Sequence, residues 1–131
     1  MTGQYKNDKK THHGGQAMSD CIFCKIINGE IPSEKLLDNE WLIAIRDIQP
    51  VARVHVLIIP KKHIPNILCT GDEDERYIIA VHHAVRALAE QLKIDAEGFR
   101  VINNCGEYGG QTVEHLHYHL IGGQKLGAKI I

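Results

Sequence analysis

The chain has 131 residues, enough for one domain with its own core. Fifteen Lys and Arg stand against sixteen Asp and Glu, a formal net charge of −1, which argues against a broad nucleic-acid-binding face because such a face needs a basic patch. No apolar run approaches the roughly 20 residues that span a bilayer, and the first twenty residues lack the apolar stretch of a secretory signal, so a reduced, cytoplasmic setting is expected.

Residues 1–17 are polar and aperiodic, and read as a disordered extension or added leader ahead of a single domain over 18–131. Ser19 or Asp20 can cap a short helix over Cys21 to Asn28, stopped at Gly29. Leu36–Leu37 and Trp41–Arg46 read as strands joined by a turn at Asp38-Asn39, and His55–Ile59 as a third strand ended by Pro60. One long helix is expected from Glu73 to Leu92, with Thr70 and Glu73 at capping-box spacing and Asp72 a competing cap. Its buried stripe is Ile78, Val81, Val85, Leu88 and Leu92, with His82 and His83 beside it at the surface or boundary. Phe99–Asn103 is a fourth strand, Cys105–Gln111 a glycine-rich loop, and His115–Ile121 a last strand. Strands on either side of one long helix, joined by short loops, predict an α+β fold with an antiparallel sheet of about five strands.

The last strand carries His115, His117 and His119 at every second position. In extended backbone their imidazoles share one face about 6.6 Å apart, while Leu116, Tyr118 and Leu120 face the core. Imidazole titrates near neutrality, so such a row suits metal binding, proton movement or attack on an electrophile. The loop Gly106-Glu107-Tyr108-Gly109-Gly110-Gln111-Thr112 precedes it. Consecutive amides and the Thr112 hydroxyl can hold an anion, and beside three histidines this suits phosphoryl chemistry.

Cys21 and Cys24 form a Cys-x-x-Cys pair with three readings. A redox dithiol wants a preceding strand that is absent; a buried structural pair is a second reading. A zinc half-site needs two distant ligands, for which His63 and one strand histidine are available. Cys69 and Cys105 lack partners and read as structural. His55 lies in an apolar strand, either as a satisfied core residue or backing the three histidines from a neighbouring strand.

The run His115-Leu116-His117-Tyr118-His119-Leu120-Ile121 resembles the His-φ-His-φ-His-φ-φ signature of the histidine triad (HIT) family. Cys21-Ile22-Phe23-Cys24-Lys25-Ile26-Ile27, Gly29-Glu30-Ile31-Pro32, Arg46-Asp47-Ile48, Ile59-Pro60-Lys61-Lys62-His63 and Gly109-Gly110-Gln111-Thr112-Val113 resemble other family segments. Gly122-Gly123 after the motif is similar to the nucleotide-binding (Hint) branch.

The resemblance implies a HIT-like fold and a purine nucleoside phosphoramidase or nucleotidyl hydrolase. It implies His117 as nucleophile, forming a covalent nucleotidyl-histidine, with His119 and Thr112 on the phosphate and the Gly110 and Gln111 amides cradling charge. A histidine rather than a glutamine at position 119 favours hydrolysis over transfer. Asp47 would take the ribose hydroxyls. Phe23, Ile26, Ile48 and Leu57 would wall the base, with His55 and Asn104 in the same site. The resemblance also implies structural zinc on Cys21, Cys24, His63 and His115, no catalytic metal, AMP or adenosine phosphoramidate as ligands, and a homodimer. Thr112 stands where serine is commoner in the family. Two other readings are a zinc-stabilised nucleotide-binding or interaction module with little turnover, and a zinc hydrolase ligated by all three histidines.

Overall fold

The computed structural model describes residues 20–129. Expectations for residues 1–17 and for a cap at Ser19 therefore lie outside the described residues. The element order is α1 (Ile22–Ile27), β1 (Lys35–Asp38), β2 (Leu42–Arg46), β3 (Val54–Pro60), α2 (Glu75–Gln91), β4 (Phe99–Ile102) and β5 (Tyr118–Gly122). The five strands form one antiparallel sheet in the order β1-β2-β3-β5-β4, so the last strand lies between β3 and β4. The α+β expectation with one long and one short helix holds.

Both faces of the sheet are covered, and strand alternation assigns each side chain to one of them. On one face α2 buries Ala80, Val81, Ala84 and Leu88 against Leu42, Ala44, Val56, Ile58 and Leu120. Of the predicted stripe Val81 and Leu88 are buried, Val85 and Leu92 pack at its margin and Ile78 is half-buried, while Ala80, Ala84 and Ala89 complete the buried face; full burial of Leu88 contributes about 1.5–3 kcal/mol. His82 and His83 are exposed, as expected. On the other face α1 packs Phe23, Cys24 and Ile26 against Ile43, Ile45, Leu57 and Ile59. His55 and His119 belong to this second face, because His119 lies opposite Leu57 and His55 opposite Ile121.

Several boundaries differ from the sequence reading. Cys21, not Asp20, caps α1: its Sγ accepts the Cys24 amide at 3.4 Å. The long helix starts at Glu75 rather than Glu73, after a 3-10 turn over Asp72–Asp74. Thr70 does not occupy a cap position, since Gly71 precedes the 3-10 turn and Asp74 precedes the helix; the Thr70 hydroxyl donates to the Ile67 carbonyl at 2.7 Å. The buried Asp74 carboxylate instead accepts the Gly71 amide at 3.0 Å and pairs with Lys62.

The largest difference is at the histidines. β5 begins at Tyr118, so His115 and His117 precede the ladder rather than lying in it. β3–β5 pairing ends at Ile58 opposite Tyr118. Beyond it, the Pro60 carbonyl is taken by the His115 ring at 2.7 Å, and the Leu116 amide turns aside to the Ile64 carbonyl at 2.6 Å. A ring bond replaces the ladder bond at this end of the strand.

Candidate active site and metal centre

Two clusters of potential ligands flank the buried His117. In the first, Cys21 and Cys24 of the α1 start meet His63, three residues past β3, and His115, three before β5. The Nδ1 atoms of His63 and His115 are 3.2 Å apart. The sulfur-to-nitrogen distances are 3.3 Å for Cys21–His115, 3.2 Å for Cys24–His63 and 3.6 Å for Cys24–His115. A tetrahedral zinc with bonds of about 2.0–2.1 Å to nitrogen and 2.3 Å to sulfur has edges of about 3.3 Å and 3.5 Å between such donors. The four donors therefore fit tetrahedral zinc, and soft sulfur disfavours calcium or magnesium. The outer shell agrees. His115 Nε2–H donates to the Pro60 carbonyl at 2.7 Å, which leaves Nδ1 as the lone pair facing the cluster. Burial lowers His115 to about 4. Burial, followed by neighbouring Cys21, raises the Cys24 thiol to about 12. A bound cation favours the deprotonated form of each ligand, which reinforces the neutral His115 ring and opposes the raised Cys24 thiol.

The second cluster is Asp47, His55 and His119. His55 Nε2 lies 2.9 Å from His119 Nδ1 and 3.4 Å from Asp47 Oδ2. Its outer shell is the opposite of the first. The Val51 backbone N–H donates to His55 Nδ1 at 3.1 Å, so the neutral ring carries its proton on Nε2. Placing a metal on Nε2 would require an imidazolate or the loss of the Val51 bond. The cluster is a hydrogen-bond relay, in which His55 Nε2–H donates to His119 Nδ1 and leaves His119 with its own proton on Nε2.

Between the clusters lies His117. Its Nδ1–H donates to the His115 backbone carbonyl at 2.7 Å, so Nε2 holds an available lone pair. The Phe23 ring packs edge-on at 5.0 Å, and His119 lies 5.2 Å away, centroid to centroid. Burial lowers the pKa of His117 and, with the charges of His117 and His55, that of His119. Asn103 donates to the His117 carbonyl at 2.9 Å. The site thus presents one nucleophilic nitrogen beside one N–H donor. The three triad rings do not converge on a common point. His115 turns to the cysteines and His119 to His55, which removes the basis for a zinc held by all three.

Other predicted residues fall as follows. Asp47 is half-buried, and its Oδ1 accepts the Gln49 amide at 2.8 Å. Phe23, Ile26 and Leu57 are core residues of the α1 face, whereas Ile48 is 95 % exposed and alone of the four offers a large free surface. Thr112 is exposed. Asn104 is used within the glycine loop, donating to the Gly109 carbonyl at 2.7 Å. The Gly110 and Gln111 amides, expected to cradle charge, are engaged within the loop. They donate to the Glu107 and Gly106 carbonyls at 3.1 and 3.0 Å, because the loop closes on itself. The Gln111 side chain is a strut: it donates to the Pro65 and Val113 carbonyls and accepts the Gly106 amide.

The sequence reading missed Asn103, the Val51 amide and the carbonyls of Pro60 and Ile64. Only Asn103 has a side chain that could have signalled its role, and an Asn pair at a strand end is a weak signal.

A family model described as HIT domain matches residues 28–126. The chain is 41% identical over 108 residues to a purine nucleoside phosphoramidase of Escherichia coli, covering 82% of this chain and 91% of that protein. It is 42% identical over 109 residues to an adenosine 5'-monophosphoramidase of Candida albicans, covering 79% and 70%. Among solved structures, a HIT family hydrolase from Clostridium thermocellum superposes with a TM-score of 0.85 at 49% identity, covering 88% of this chain and 100% of that one. Sequence, fold and triad geometry agree, and the chain belongs to the HIT domain family.

Proposed function

We propose that the protein hydrolyses purine nucleoside 5′-phosphoramidates or closely related nucleotidyl conjugates through a covalent intermediate on His117. The observation that carries this reading is the hydrogen bond from His117 Nδ1–H to the His115 carbonyl, which directs the free lone pair of a neutral imidazole outward from Nε2. Relatives named for phosphoramidase activity support the substrate class.

In the first step Nε2 attacks the α-phosphorus. The Nε2–P bond forms as the P–N bond to the leaving amine breaks, and the amine departs with a proton taken from solvent, which the attacking water of the next step returns. Water then attacks phosphorus, the Nε2–P bond breaks, and the nucleoside monophosphate leaves. His119 Nε2–H donates to a phosphate oxygen, since its Nδ1 is occupied by His55. Thr112 supplies a hydroxyl to the phosphate or the leaving group. Asp47 receives the ribose hydroxyls, and the exposed Ile48 covers one side of the base.

Cys21, Cys24, His63 and His115 would hold one zinc. The bound ion would supply a closed four-ligand crosslink between α1 and the segments flanking β3 and β5, and it has no part in the phosphoryl steps. The working unit is a homodimer in the cytoplasm. Among the described residues no helix is long and apolar enough to cross a membrane.

Substituting His117→Asn tests the mechanism. Turnover of adenosine phosphoramidate is expected to fall by on the order of 10³-fold or more, with AMP binding retained. Full turnover in the variant would sink the covalent route. Micromolar AMP binding with negligible turnover in the parent would favour the binding-module reading.

A further inference from the structure

At the end of the sheet where β3 and β4 begin, Val54 and Phe99 both pair with Gly122. Here the surface opens into a cleft of about 530 Å³ that no triad residue lines, its charged side chains exposed. Arg53, Lys93, Lys125 and Glu97 line it together with Gly98 and Gly123, giving three cations and one carboxylate, a local formal charge of +2. The ion pairs among the described residues join Lys61 to Asp38, Lys62 to Asp74 and His55 to Asp47, so they involve none of the cavity's charges.

The backbone of the cavity is unusual in a second way. Lys93 has φ +59, the only positive φ at a non-glycine among the described residues. It occupies the turn that closes α2, where Lys93 N–H donates to the Glu90 carbonyl at 3.2 Å and Ile94 N–H to the Ala89 carbonyl at 2.9 Å. Glycine is the unstrained occupant of that position. The backbone geometry alone gives no reason for a lysine; its charge can serve the cavity it lines or the negative end of the α2 dipole. Gly98 and Gly123 also have positive φ. At Gly123 a Cβ would meet Arg53 Cβ and Val54 Cγ2 at 3.1 Å, so only glycine lets the backbone approach this closely.

We infer that this cavity binds a hydroxyl-bearing phosphate ester. The guanidinium of Arg53 offers a planar fork to phosphate oxygens, with Lys93 and Lys125 as point charges. Glu97 repels a bare polyanion but accepts hydrogen bonds from sugar hydroxyls. A volume of this size exceeds what inorganic phosphate fills and lies in the range of small-ligand sites, about 300–1,000 Å³. The inference does not depend on the proposed phosphoramidase activity. The competing role for Lys93 is to complement the negative end of the α2 dipole.

The test is an amide NMR titration of the intact protein at low ionic strength, with ribose 5-phosphate and with pyrophosphate. Ribose 5-phosphate is expected to shift the Lys93, Gly98 and Gly123 amides as one set, distinct from any set at Gly110 and His119. Lys93→Gly and Lys125→Gln should each weaken the first set by about tenfold, while Lys93→Gly melts no lower than the parent. Glu97→Gln should narrow the preference over pyrophosphate. Shifts confined to the triad side, or unchanged affinity in both lysine variants, overturn the site. Equal affinity for pyrophosphate in the parent overturns the ester assignment. A lower melting temperature in Lys93→Gly without loss of binding assigns the lysine to the helix dipole instead.

Discussion

One backbone amide, that of Val51, decides how two imidazoles carry their protons. By donating to His55 Nδ1 it places the His55 proton on Nε2, which in turn fixes His119 as an Nε2–H donor. The His115 carbonyl does the corresponding work for His117. Burial then holds His117 and His119 below the ordinary histidine value of about 6.5. A nucleophilic imidazole must be neutral, and a depressed pKa keeps it neutral to lower pH. The acid limb of kcat/KM is therefore expected below pH 6.5, and a limb centred above that value would contradict the assignment. The same shifts act on stability. Between the folded and unfolded values the unfolded chain binds more protons, so this contribution is complete above about pH 6.5 and is lost as pH falls below it. The histidine spacing was legible as a functional unit. The family resemblance also implied a division of labour within it; the tautomer of each ring was not legible, because carbonyl and amide partners leave no mark in the side-chain sequence.

At the scale of elements, helix α2 was read correctly in period and face but not in start. Its opening is set by Asp74, buried and bonded to the Gly71 amide and Lys62. Lys62 is 43 % exposed, so the charge attraction is screened and the main loss on Asp74→Ala is the bond its carboxylate accepts from the Gly71 amide across the 3-10 turn. A destabilisation of about 1–2 kcal/mol is expected, read as a lower Tm; an unchanged Tm would remove Asp74 from this role. The other telling element is β4, an edge strand with Phe99 39 % and Val101 42 % exposed. If the proposed homodimer pairs this edge, Phe99→Lys should convert a dimer to a monomer in sedimentation. A parent that sediments as a monomer at micromolar concentration would end the dimer proposal.

For the whole molecule, spacing alone showed the cysteine pair as half of a site, and the family resemblance supplied His63 and His115 as the other half. His63 lies 39 residues from Cys24, and His115 lies 94 from Cys21. Such distances mean that only folding brings the four donors together. The purified protein is expected to hold one zinc per chain by elemental analysis. Its removal by a chelator should lower Tm markedly, because ligand binding to the folded state adds directly to folding free energy. Loss of turnover with Tm unchanged would instead make the metal catalytic.

The order of strands and helices, the helical period of α2 and the row of three histidines were determined by the sequence alone, because periodicity and side-chain chemistry are local properties. Only the tertiary structure decided that β5 starts after the first two histidines, and that His115 turns toward the cysteines while His119 turns toward His55. It also decided that the Gly110 and Gln111 amides are used within their own loop. Those outcomes depend on which carbonyl lies opposite which ring, and long-range strand pairing settles that geometry.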